Sequence, residues 1–92
     1  MQRFLIERDI PKVGSMSGEE LGGAARTSND ALAKLAPRVQ WQHSYVAGDK
    51  TFCIYLADSE DAIHEHSKLS GFPASKITRI ETVIDPTTGN LG

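Results

Sequence analysis

The side chains with the most chemistry to offer in this 92-residue chain are the imidazoles of His43, His64 and His66, the thiol of Cys53 and the carboxylate of Glu7. Imidazole with carboxylate suits nickel, zinc or copper, and a thiolate adds affinity for zinc or copper(I). Glu7, His43, Cys53 and His66 are therefore the candidate metal ligands. His64 and His66 cannot chelate one ion together, because side chains two residues apart on a helix point about 200° away from each other. His66 falls on an apolar stripe with Ile63 and Leu69, and His64 points outward. Trp41, Tyr45 and Tyr55 are the residues that could line a cavity and orient a small molecule, with His43 as acid or base. Each also has a plainer use. His43 can be a hydrogen-bonded surface histidine, Cys53 a small buried hydrophobe and Glu7 a salt-bridged strand carboxylate, and His66 can be a packing residue under the helix. There is no Ser-His-Asp order, phosphate-binding glycine loop or paired-cysteine motif, so enzyme activity stays open.

The elements that must position these residues can be read from periodicity. Phe4 to Ile10 alternates as a strand ended by Pro11. Ser17 with Glu20 forms a capping box, and Leu21, Ala24, Ala25, Ser28, Leu32 and Leu35 recur at helical spacing up to Pro37. Two strands, Val39 to Val46 and Thr51 to Leu56, flank the turn Ala47-Gly48-Asp49-Lys50. Asp58 or Ser59 caps a second helix whose inward stripe is Ala62, Ile63, His66 and Leu69, stopped by Gly71 and Pro73. A fourth strand is expected from Ile77 to Ile84, and residues 85–92 as a turn and flexible tail. The order β-α-β-β-α-β is the split βαβ motif, so the expected fold is α+β and ferredoxin-like, one domain over 1–92, with a four-stranded antiparallel sheet and both helices on one face.

Strand parity then assigns faces. Phe52, Ile54 and Leu56 are the most continuously apolar set in the third strand and are expected under the helices. That places Trp41, His43, Tyr45, Cys53 and Tyr55, with Leu5 and Glu7, on the opposite, helix-free face. A sheet face so rich in aromatics implies a partner, and two copies face to face would make a dimeric α+β barrel with a cavity between them.

The formal charge of -2, from 10 basic and 12 acidic residues, is scattered, which disfavours nucleic acid and anionic membranes as partners. Charge enters at Arg3, unlike a secretory signal, and no apolar run approaches the ~20 residues of a membrane span. With a single cysteine, the expected location is the cytoplasm.

The segments Trp41-Gln42-His43-Ser44-Tyr45-Val46, Lys50-Thr51-Phe52-Cys53-Ile54-Tyr55, Glu65-His66 through Gly71-Phe72-Pro73, and Val83-Ile84-Asp85-Pro86-Thr87-Thr88 are jointly distinctive. They resemble a family of short bacterial proteins, long classed as a domain of unknown function and described as nickel-responsive or nickel-binding with a ferredoxin-like fold. The resemblance implies a dimeric ferredoxin-like barrel and a transition-metal site drawing on His43, Cys53, His66 and Glu7. The first functional expectation is a small homodimeric metal-binding protein, for nickel or a similar ion such as zinc, in metal storage or response. The second is a small-molecule binder or enzyme using the cavity of the dimeric barrel.

Overall fold

The computed structural model describes residues 1–92. Strand β1 (Gln2–Asp9) leads through a short 3-10 turn (Val13–Ser15) into helix α1 (Gly18–Leu35). Strands β2 (Val39–Val46) and β3 (Lys50–Ala57) form a hairpin, followed by helix α2 (Glu60–Ser70) and strand β4 (Lys76–Ile80). A second 3-10 turn (Pro86–Asn90) follows β4, held by Asp85, which accepts a hydrogen bond from the Thr87 amide. The sheet order is β2-β3-β1-β4, with antiparallel pairing throughout. This is the ferredoxin-like arrangement expected from the element order.

Local chemistry fixes the helix ends. Ser17 and Glu20 exchange the reciprocal bonds of a capping box at the start of α1, and the Ser59 hydroxyl accepts from the Ala62 amide at the start of α2. Gly71, at φ 80°, ends α2 in the left-handed conformation that glycine adopts without strain. The core between helices and sheet is built from Phe4, Ile6, Leu35, Val39, Cys53, Tyr55, Ala57, Ala62 and Ile63.

Three expectations need correction. On β3 it is Thr51, Cys53, Tyr55 and Ala57 that are buried beneath the helices, whereas Phe52, Ile54 and Leu56 lie half-buried on the open face. β3 is an interior strand, apolar on both faces, so apolar content alone does not say which face meets the helices. Strand β4 stops at Ile80, leaving Val83 and Ile84 exposed. Leu69, expected on the inward stripe of α2, is about half exposed, at 48%.

A close approach of chain segments shapes the upper end of the sheet. The Gly14 amide donates to the Gly48 carbonyl at 2.9 Å, docking the first 3-10 turn on the β2–β3 hairpin, and a Cβ at Gly14 would overlap the Ala47 carbonyl oxygen. Gly14→Ala is therefore expected to destabilise the chain by about 1–3 kcal/mol, read as a lower denaturation midpoint with unchanged slope. A midpoint equal to the parent's would mean that this docking contributes nothing to stability.

Candidate functional site

A β-bulge divides the predicted site residues between two faces. Trp41 pairs with Tyr55, but His43 pairs with Ile54, so one residue is skipped between them. An extra residue in one strand switches all later side chains to the other face. Trp41 accordingly lies on the helix side, its ring stacked 6.5 Å from that of Tyr55. His43 and Tyr45 lie on the open side, across from Ile54 and Phe52. The expectation that Trp41, His43, Tyr45, Cys53 and Tyr55 share one face is thus corrected: Trp41, Cys53 and Tyr55 face the helices, and His43 and Tyr45 do not.

On the open face His43 Nε2 is 3.2 Å from the Tyr45 hydroxyl, with the rings edge to face. With the proton on Nε2 and donated to the phenol oxygen, Nδ1 presents a free lone pair. Glu7 stands two strands away, paired through Oε1 with Lys50 Nζ at 3.3 Å, and Asp9 is 3.7 Å from the same ammonium. Around these polar groups the face is apolar: Leu5 opposes Ile54, and Phe52 sits between Glu7 and Tyr45.

The helix side holds a different constellation. His66 is fully buried, with Ser28 Oγ 3.0 Å from Nε2 and Arg8 Nη2 3.5 Å from Nδ1. Burial, and secondly the Arg8 charge, lower the His66 pKa from 6.5 to about 4, so the ring is neutral at physiological pH. Tyr55 lies 3.4 Å from Ser28 through its hydroxyl, and burial raises its pKa. Arg8 donates through Nη1 to Ser67 Oγ and to the Phe72 and Pro73 carbonyls, the last at 2.8 Å. Cys53 donates to Thr51 Oγ at 3.5 Å. Above this network, between α1, the first 3-10 turn and the sheet, lies a cavity of about 240 Å³, with Trp41, Cys53 and Tyr55 among its walls. It is lined by a single chain and lies on the helix side of the sheet.

The four candidate ligands therefore do not meet within a chain. Glu7 and His43 are on the open face, Cys53 and His66 are on the helix side, and no group of three or more His, Cys, Asp or Glu side chains is placed to hold an ion. His66 packs under the helix, as its stripe position allows. Arg8 and Ser28 escaped attention as polar site residues. Arg8 alternates in phase with Phe4 and Ile6, and a charge in register with core positions was the available signal.

Residues 4–80 match the family model for the nickel responsive protein SCO4226-like proteins. The chain belongs to that family. Its fold is also that of the crystal structure of SCO4226 from Streptomyces coelicolor A3(2), with a TM-score of 0.75, 13% sequence identity, and coverage of 89% of this chain and 99% of that one. Among curated proteins, none matches in sequence. For this member of the SCO4226-like family, no helix is long and apolar enough to cross a membrane.

Proposed function

We propose that this chain is a homodimeric protein of the nickel response that binds a divalent transition metal with donors drawn from two copies across the open face of the sheet. The observation that carries the reading is the composition of that face. It exposes a helix-free apolar surface from Leu5, Phe52, Ile54 and Leu56, and the donors standing on it include His43 and Glu7. Because one chain gathers too few donors, an imidazole and a carboxylate from each of two copies supply the number a divalent site requires. Membership of a nickel-responsive family supports nickel as the ion. Tyr45 would hold the His43 ring in place, as the outer partners of metal-bound histidines do.

Calorimetric titration with nickel tests this. His43→Ala is expected to weaken binding at least about tenfold, while His64→Ala changes it little, since His64 is exposed near Glu60 on α2. Binding should also weaken as pH falls, because protons compete for the imidazole. Equal affinities for both variants and the parent would refute the assignment, as would no parent affinity tighter than about millimolar.

A further inference from the structure

We propose that the cavity beneath helix α1 binds an aromatic monocarboxylate, its carboxylate paired with Arg8 and its ring held against Trp41. The inference is independent of the metal reading and of the open face.

Arg8 is only 2% exposed and lines this cavity. A buried ion without a counter-ion is strongly unfavourable, and such charges are ordinarily paired. The ion pairs of this chain join Arg38 to Asp58 and Glu65, Lys50 to Glu7 and Asp9, His64 to Glu60, and Arg79 to Glu81; none reaches Arg8. Its hydrogen-bond acceptors are neutral: a hydroxyl, two loop carbonyls and an imidazole. No Asp or Glu lines the cavity.

The direction of the hydrogen bonds adds a second donor. A guanidinium cannot accept, so His66 Nδ1 accepts from Arg8 and the ring proton sits on Nε2. That proton is donated to Ser28 Oγ, which keeps its own proton and a second lone pair, so the Ser28–Tyr55 hydrogen bond can run in either direction. With the Ser28 hydroxyl as donor in that bond, the Tyr55 proton is left for a ligand in the cavity. Arg8 and Tyr55 stand together, the guanidinium carbon 5.9 Å from the ring centroid, and both line the cavity. One formal positive charge and one phenolic hydroxyl able to donate match one carboxylate.

The rest of the cavity defines the body of the ligand. On α1 the cavity is lined by Leu21 and by Ala24, Ala25 and Ser28, whose small side chains leave volume unfilled, and Trp41 and Phe72 stand among otherwise mostly aliphatic walls. A cavity of about 150 Å³ admits a benzene ring. The 240 Å³ present here accommodates a ring with a short carboxylate arm. The rings of Trp41, Tyr55 and Phe72 among these walls favour an aryl group over a flexible chain of equal area.

The test uses 3-phenylpropanoate and its uncharged amide, titrated into the full chain and followed by fluorescence of Trp41, the single tryptophan. The acid is expected to bind one per chain, at least about tenfold tighter than the amide. Arg8→Leu should erase that difference, and Ala25→Leu, which fills the cavity, should abolish binding of both while the chain stays folded. Equal binding of acid and amide by the parent, or no binding of the acid below about 10 mM, overturns the proposal. Because the comparison within the parent is decisive, it holds even where Arg8→Leu does not fold. Competition by inorganic phosphate as strong as by the acid would also overturn it, reducing the site to a general anion pocket.

Discussion

Ile54→Glu is expected to turn the proposed homodimer into a folded monomer. Ile54 lies on interior strand β3, between His43 of β2 and Leu5 of β1, near the centre of the open face. In an isolated chain the position is half-buried, so a carboxylate there can reach water and the fold should survive. In a dimer joined through this face, a two-fold axis brings the same patch of each copy together, so each new carboxylate is desolvated near its counterpart. An uncompensated buried charge costs about 3–5 kcal/mol, which weakens association by roughly two to three orders of magnitude or more. A standard interface buries about 800 Å² per partner. One protomer exposes 5938 Å² in all, so covering this face would remove a modest part of its surface. Sedimentation at micromolar concentration should show the parent near twice the 10.0 kDa chain mass and Ile54→Glu near that mass, with matching circular dichroism. Trp41→Ala should leave assembly unaffected, because the bulge turns Trp41 to the helix side. A parent that sediments as a monomer, or an Ile54→Glu variant that sediments with the parent dimer, would sink the open-face interface.

The contrast between Ile54 and Trp41 shows where sequence reasoning ran out. Element order, capping at Ser17 and Ser59, and the glycine stop at Gly71 are local signals carried by a few adjacent residues, and they were legible. Face assignment is not local. In β2 the skipped residue lies within Trp41-Gln42-His43, where neither glycine nor proline marks a bulge, so period-2 counting put Trp41 with His43 and Tyr45 on the helix-free face, which only the latter two occupy. In β3 the sets Phe52, Ile54, Leu56 and Cys53, Tyr55, Ala57 are both apolar enough for a core, and only the register against Phe4 and Ile6 decides between them. The polar network could be anticipated only in part. His66 and Ser28 sit on visible helical stripes, but their meeting with Arg8 and Tyr55 depends on how two helices dock on the sheet.

That docking gives stability a specific pH dependence. In the unfolded chain the His66 imidazole titrates near its ordinary value of 6.5, whereas in the folded chain burial, and then Arg8, lower it to about 4. Its contacts are with Arg8 from β1, Ser28 from α1 and Tyr55 from β3, and none is a carboxylate that could stabilise imidazolium. Above pH 6.5 both states hold a neutral ring and the contribution to stability is complete. Between pH 6.5 and 4 the unfolded state binds more protons, so stability falls with pH and levels off only below the folded value. A gap of about 2.5 pKa units corresponds to a loss of about 3 kcal/mol. Denaturant unfolding of the parent and His66→Gln at pH 7 and 4.5, at one protein concentration, isolates this contribution. Glutamine cannot titrate, so the difference in stability between the two proteins should shrink by most of that amount on acidification. Proton titration of the His66 ring by NMR gives a second readout that does not depend on the variant folding. A constant stability difference across this pH range, or a folded-state midpoint above about pH 5.5, would show that His66 is not held neutral by burial beside Arg8.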